Sequence, residues 1–163
     1  MADDWITPDS HVDPESTWND EPYAYDDDPG WGYYAWCSVA LKSWSNYLEL
    51  HLDTPILCDK VRYSSEYGPF AISKISLDVF YEAGWHNIYE GAFLDKSWDE
   101  KSIPAGTKTV SAMRAKFWNN SDSSTRWPEW LEADFNQVPA PVVSKKWWFN
   151  LSDRPDREVV AVL

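Results

Sequence analysis

The chain has 163 residues, of which 44% are hydrophobic and 17% are aromatic, and this apolar content excludes an intrinsically disordered chain. It carries 27 acidic residues against 14 basic ones, a formal net charge of −13 at pH 7, which disfavours nucleic acids and anionic membrane surfaces as partners. No apolar stretch reaches the about 18 residues of a membrane span, so we expect no membrane insertion.

The first part of the chain is strongly acidic, since residues 1–41 hold ten Asp or Glu and no Lys or Arg. Residues 1–16 are rich in Pro and Asp without hydrophobic periodicity, which predicts an extended acidic lead-in. They lack the basic and apolar regions of a signal peptide. The cellular location stays open, and an extracellular or virion-associated protein is compatible with these features.

Short segments of alternating apolar and polar residues follow, a pattern typical of half-buried β-strands. YLELHL, ISLDVFY and SAMRAKFW show it, LEADF is a shorter example, and EAG before WHNIYEG indicates a hairpin. No helix-period segment interrupts them, so the sequence predicts an all-β sandwich or jelly roll. Its expected core includes the apolar members of these segments: Leu48, Leu50, Leu52, Ile75, Leu77, Val79, Tyr81, Met113, Ala115 and Phe117.

Two cysteines, Cys37 and Cys58, lie in strand-like segments. Buried free thiols are the simpler interpretation, and a disulfide between neighbouring strands is the alternative. Two cysteines and three scattered histidines do not give the ligand spacing of a zinc site.

The end of the chain, residues 138–163, predicts a linker and a C-terminal hairpin or tail. The prolines of VPAPVV favour a stiff linker or an edge segment. KKWWFNL and REVVAVL flank SDRPD beyond it, and they also suit the opening of a second unit.

Several segments in the right order resemble the discoidin family, or coagulation-factor type C domains, and the carbohydrate-binding modules that share its galactose-binding-like fold. AYDDDPGWGYYAW, YLELHLD and DKVRY are similar to the family's A-x-D-G loop and its first strands, and later segments through LEADF follow its order. The resemblance covers residues 17–137 and implies a galactose-binding-like jelly-roll β-sandwich. The chain departs from the family pattern at four positions: Asp27 for glycine, Trp31 for threonine, Tyr47 for tryptophan and His51 for aspartate.

The resemblance also implies a structural calcium site at the acidic loop. Side-chain oxygens would come from Asp26 and Asp28, and Glu132 would close the shell. Main-chain carbonyls would come from Tyr23, Trp31 and Leu131. Trp31 lacks the hydroxyl oxygen of a threonine, so one ligand is lost or replaced by water. The alternative is that residues 26–28 only cap a turn.

Aromatic residues in a β-sandwich mostly belong to the core, and we expect burial of Tyr33, Trp36, Tyr47, Trp85, Trp98 and Phe117. Three other rings lie among small polar residues, where exposure suits saccharide stacking: Trp44, Tyr67 and Trp127. Hydrogen bonds to the sugar are expected from Asn119, Asn120 and Arg126. The alternative is an ordinary loop in which Arg126 pairs with Glu129.

No nucleophile elbow, phosphate-binding glycine loop or zinc-protease motif is present, so no catalytic residue is predicted. We expect a non-catalytic binding module, with a saccharide or glycan as its ligand and calcium as a structural ion. The alternative is a structural or adhesion component that binds other subunits of a larger assembly, such as a viral or phage particle, through the same sandwich and the KKWWF tail.

Overall fold

A computed structural model describes residues 4–28, 32–66 and 71–140. In these ranges a short 3₁₀ helix, Glu21–Ala24, accompanies eleven β-strands. The strands are β1 (Trp5–Ile6), β2 (Ser10–Val12), β3 (Trp18–Asn19), β4 (Ala35–Cys37), β5 (Ser43–Trp44), β6 (Leu48–Glu66), β7 (Ile72–Tyr81), β8 (Gly84–Gly91), β9 (Asp99–Ser102), β10 (Lys108–Asn119) and β11 (Glu129–Gln137). The described residues contain no helix that is long and apolar enough to cross a membrane.

The long strand β6 links the two layers of the sandwich. Its first half, Leu48 to Cys58, pairs with β10, and its second half, Cys58 to Glu66, pairs with β11. The strand order along the main path is β3-β4-β11-β6-β10-β7-β8, and all of these pairs are antiparallel. The all-β sandwich predicted from the sequence is confirmed.

The core forms where the inner faces of the two layers meet. Phe117 of β10 contacts Trp130 of β11 and Trp18 of β3, with ring centroids 6.1 and 6.0 Å apart, in the edge-to-face arrangement that aromatic pairs prefer. All ten expected core residues of β6, β7 and β10 are buried. Burial alternates as predicted along β6 and β10 at residues 48–52 and 113–117, whereas in β7 the polar Ser76 and Asp78 are buried as well. The hairpin between β7 and β8 is also confirmed.

Most of the other rings that we expected in the core lie elsewhere, so that expectation was wrong. Of the six, Phe117 is fully buried, Tyr33 is 55% exposed, and the remaining four are half-buried: Trp36, Tyr47, Trp85 and Trp98. Tyr47, Trp85 and Trp98 are covered by arginine side chains. A sandwich thus accommodates large rings outside its core by pairing them with cations.

Two arginines are each sandwiched between aromatic rings. The guanidinium of Arg114 lies 4.0 Å from the Tyr47 ring centroid and 4.3 Å from that of Trp85. The guanidinium of Arg62 lies 3.9 Å from Trp98 and 4.4 Å from Trp5. Arginine stacks on aromatic faces and buries its apolar stem against them, so these stacks shield large apolar surfaces from water.

The sequence predicts a separate segment at each end of the chain. In the structure β1 pairs with β11 and β2 pairs with β6, so the extended lead-in is joined to the sheet from residue 5 onward. At the other end, the linker and tail lie outside the described residues from position 141.

The cysteines match the simpler of the two interpretations. Cys37 and Cys58 are buried free thiols, and burial raises the pKa of each to about 12. Both thiols therefore stay protonated and unreactive at neutral pH.

Candidate functional site

The acidic loop follows the 3₁₀ helix and holds its three aspartates in water. Asp26, Asp27 and Asp28 are all exposed, and Asp26 Oδ1 accepts a hydrogen bond from the Asp28 amide at 3.1 Å. That contact is the turn-capping bond of the alternative interpretation. Asp27 has a φ of 63°, a left-handed conformation that favours glycine and tolerates Asp. The left-handed backbone at position 27 thus explains why the family pattern has a glycine there.

Glu132 is a buried carboxylate next to this loop. It is 1% exposed. Its Oε1 accepts a hydrogen bond from the Ala133 amide at 3.1 Å, whereas Oε2 has no hydrogen-bond partner among the residues that the structure describes. Burial raises the pKa of Glu132 to about 8, with smaller increases from the charges of Asp134 and Asp26 and partial compensation from the amides of Ala133 and Asp27. An ionised carboxylate in this environment requires a positive partner.

The predicted calcium ligands are only partly brought together. Asp26 lies close enough to Glu132 to affect its pKa, Leu131 adjoins Glu132 in β11, and Trp31 lies outside the described residues. Within the described ranges, no cluster of three or more His, Cys, Asp or Glu side chains could hold a metal. A cation here would thus need carbonyl oxygens beside the carboxylates, a mixed shell that calcium accepts.

Trp127, predicted as a stacking ring, is 43% exposed. It lines a surface cleft of about 430 Å³ together with Tyr34, Trp36 and Glu129. We call these four residues the aromatic cleft. Three rings and one carboxyl group around a concave site are the elements that bind a sugar ring, since the rings offer apolar faces and the carboxyl group accepts hydroxyl hydrogen bonds.

The other predicted ligand residues lie apart from this lining. Trp44 of β5 packs edge-on against Trp118 of β10, with centroids 5.5 Å apart. Asn120 is exposed, and its main-chain and side-chain oxygens accept hydrogen bonds from Lys42 Nζ at 2.8 and 3.2 Å. Tyr67 lies outside the described residues.

Asn119 has a structural position. It is fully buried, and its amide nitrogen donates to the carbonyls of Val39, Ala40 and Ser124. Its Oδ1 accepts from the Ser121 amide at 2.8 Å. Asn119 thus holds the loop before Trp127 in place and is inaccessible to a saccharide.

Arg126 anchors the other end of that loop through its backbone, which pairs with Val39 at 2.8 and 3.1 Å. Its Nε is buried and has no hydrogen-bond partner within the described ranges. The charges that affect Glu129 come from Glu66, Lys96 and Asp95, so the alternative pairing of Arg126 with Glu129 finds no support among the described residues.

The cleft residues that sequence reasoning missed come from distant strands. Trp36 of β4 and Glu129 of β11 are directly opposed across the sheet, and Trp36 Nε1 donates to Asp20 Oδ2 at 3.0 Å. A signal was present in β4, because Trp36 alternates with the buried Ala35 and Cys37 and must therefore face outward. No local sequence pattern predicts the pairing of Trp36 with Glu129, because the two residues lie far apart in the chain.

The cleft carries an unusual carboxyl pair. Burial, then the charge of Glu66 and a hydrogen bond to it, raise the pKa of Glu129 to about 7, while Lys96 lowers it. Lys96 Nζ lies 2.6 Å from Glu66 Oε1. Glu129 is the main cause of a raised pKa for Tyr34, followed by burial. Glu129 therefore changes its protonation state near neutral pH.

No protein-family profile and no curated protein matches the sequence, whereas solved structures resemble the fold. The CBM32 module of AlyQ, solved in complex with 4,5-unsaturated mannuronic acid, aligns with a TM-score of 0.57 at 13% identity, covering 82% of this chain and 98% of that one. CBM32-1 from a family 31 glycoside hydrolase of Clostridium perfringens aligns with a TM-score of 0.57 at 10% identity, covering 80% and 96%.

A larger structure, truncated AlyQ with CBM32 and alginate lyase domains, aligns with a TM-score of 0.57 at 14% identity. The alignment covers 86% of this chain and 35% of that one. At such identities the likeness concerns architecture, and it agrees with the resemblance read from the loop and strand motifs. The chain is a galactose-binding-like jelly-roll β-sandwich with the fold of the CBM32 carbohydrate-binding modules.

Proposed function

We propose that this chain is a non-catalytic carbohydrate-binding module whose saccharide ligand binds in the aromatic cleft. The observation that carries the proposal is the exposed indole of Trp127 in a concave site with two further rings and a carboxyl group. An exposed ring contributes little to the stability of the fold, and in a concave site it offers an apolar surface to a ligand. The CBM32 fold of the solved neighbours supports the same function.

The carboxyl pair supports binding over hydrolysis. Glycosidases place their two carboxyl groups about 5 Å or more apart, on either side of the scissile bond. Glu129 and Glu66 instead occupy directly opposed positions on neighbouring strands, where Cβ atoms lie about 4.5–5.5 Å apart on one face of the sheet, so both carboxyl groups lie on the same side of a bound sugar. The pair can accept hydrogen bonds from a ligand at the cleft.

A structural calcium ion at the acidic loop belongs to the same proposal. The unpartnered Oε2 of buried Glu132 and the neighbouring Asp26 support it, with main-chain oxygens of Tyr23, Trp31 and Leu131 completing the set. The ion would neutralise Glu132 and fix the loop that leads into Tyr34 and Trp36. Calcium would thereby stabilise the fold and one wall of the cleft.

Trp127→Ala is expected to abolish detectable saccharide binding. The indole supplies the stacking surface, and truncating such a contact costs about 1–3 kcal/mol of binding free energy, enough to lose an interaction in the millimolar to micromolar range. The melting temperature should change by only a few degrees, because exposed side chains contribute little to folding. Glycan-array screening and then calorimetry on the best ligand measure the effect.

Leu94→Ala is the matched control, because Leu94 is a comparably exposed apolar residue, at 53%, that does not line the cleft. It should bind saccharides like the wild type. Unchanged binding by Trp127→Ala would place the ligand elsewhere. The absence of any saccharide ligand for the wild type across a broad array would favour a structural role in a larger assembly, whose KKWWF tail lies outside the described residues.

A further inference from the structure

The cleft is built on one row of side chains that crosses three strands. Trp36 of β4 is directly opposite Glu129 of β11, and Glu129 is directly opposite Glu66 of β6. Directly opposed residues project from the same face of a sheet, with Cβ atoms about 4.5–5.5 Å apart. An indole and two carboxyl groups therefore lie side by side along one wall.

Two carboxyl groups in this position repel each other when both are ionised. Lys96 binds Glu66 with an Nζ–Oε1 distance of 2.6 Å, while Glu129 faces the cleft as one of its lining residues. The nearby acids Asp20 and Asp95 are exposed and add to the negative potential. A positively charged group in the cleft, next to Glu129, would relieve this repulsion.

The aromatic walls favour the same ligand charge. The faces of indole rings attract cations that lie within about 6 Å, and Trp36 and Trp127 both line the site. The net charge of −13 also raises the local concentration of cationic ligands near the protein. The two carboxyl groups, the ring faces and the negative field of the protein thus all favour a positively charged group on the ligand.

We propose that the aromatic cleft selects saccharides that carry a free amino group, with the ligand ammonium bound by Glu129 and a sugar ring stacked on Trp127. This inference rests on the proposed carbohydrate-binding function and adds the class of ligand. The expected ligand differs from the unsaturated mannuronic acid in the AlyQ module structure, because the carboxylate of a uronate in this cleft would face the carboxyl group of Glu129.

The test compares three hexasaccharides by calorimetry: the β-1,4-glucosamine hexamer, its fully N-acetylated counterpart, and a uronate hexamer. The titrations are run at pH 7, in about 0.15 M salt to screen long-range attraction. We expect the amino hexamer to bind about tenfold more tightly than the acetylated one, and the uronate to bind most weakly. Equal affinities for the amino and acetylated hexamers would overturn the inference.

Glu129→Gln should remove the tenfold preference, measured as the ratio of the two affinities in the same variant, because glutamine keeps the size of the side chain and loses its charge. Glu90→Gln is the matched control, since Glu90 is an exposed acid on β8 and its loss changes the net charge equally. A preference that persists in Glu129→Gln would contradict the inference. Binding of neutral sugars that depends on Trp127 without any preference for amines would overturn this inference alone, and no binding of any sugar would overturn the proposed function as well.

Discussion

Arg114→Ala is expected to lower the free energy of unfolding by about 3 kcal/mol, the range for breaking a buried ion pair. Arg114 Nε donates to Asp78 Oδ2 at 2.9 Å, and Asp78 is only 5% exposed. Without the guanidinium, the Asn87 side-chain amide still donates to Asp78 Oδ1 at 2.9 Å. The substitution also uncovers the faces of Tyr47 and Trp85. Thermal or urea unfolding measures the loss, and for a chain of this length the melting temperature should fall by about 6–12 °C.

Lys116→Ala is the matched control on the same strand. Lys116 Nζ lies 5.1 Å from the Trp44 ring and 4.9 Å from the Tyr47 ring, so its removal costs cation–π contact at a half-exposed site, about 0.5–1 kcal/mol. The loss of unfolding free energy in Arg114→Lys should lie between those of Arg114→Ala and Lys116→Ala, because lysine keeps the charge and loses the flat stacking surface. A loss in Arg114→Ala no larger than that in Lys116→Ala would show that the stack and its ion pair contribute little.

Calcium is expected to raise the melting temperature, and to raise it more at pH 8 than at pH 5. The reason lies in Glu132, whose pKa burial raises to about 8 from an ordinary 4.5. Without the ion, the folded state keeps a proton that the unfolded state releases. The contribution of Glu132 to stability is therefore complete below about pH 4.5 and is lost as the pH rises through about 8.

The ion reverses this trend, because it binds the ionised carboxylate and competes with the proton. At a hundredfold excess over its Kd, calcium should add about 2.7 kcal/mol. Melting curves in calcium and in EDTA at both pH values measure the effect. In EDTA at pH 8, Glu132→Gln should be at least as stable as the wild type, since it removes a buried charge, and calcium should no longer affect it.

Asp27→Asn is the control for the acidic loop. Asp27 neighbours the proposed ligands Asp26 and Asp28, and Asn also tolerates its left-handed φ of 63°. This variant should keep the calcium response, whereas Asp26→Asn should lose it. Melting curves that coincide in calcium and EDTA at both pH values would leave the three aspartates as a solvated turn.

The fold was predictable because strand alternation is a local signal. Leu48 to Leu52 and Met113 to Phe117 alternate with polar residues in the sequence and alternate in burial in the structure. The same parity also held for Tyr47, which flanks the buried Leu48 and so faces outward. Its expected burial came from the general preference of aromatic rings for sandwich cores. That reasoning failed because the side chain of Arg114 covers the Tyr47 ring, a contact that no local pattern reveals.

The candidate site was only partly predictable. Polar neighbours identified Trp127 as exposed, and the structure confirms that exposure. Asn119 has the same kind of neighbours, yet its amide satisfies backbone carbonyls inside the loop, and sequence does not distinguish a buried anchor from a ligand contact. Glu129 and Trp36 meet through strand pairing, which depends on contacts between residues far apart in the chain.

Saccharide binding in the aromatic cleft is tested by a saccharide titration followed in proton–nitrogen spectra of the 12 tryptophan indoles. Single Trp→Phe variants assign the signals. We expect the indole signals of Trp127 and Trp36 to shift with saturating dependence on ligand concentration, while those of Trp44 and Trp85 stay in place. Shifts confined to Trp44 and Trp118, with Trp127 unmoved, would contradict it.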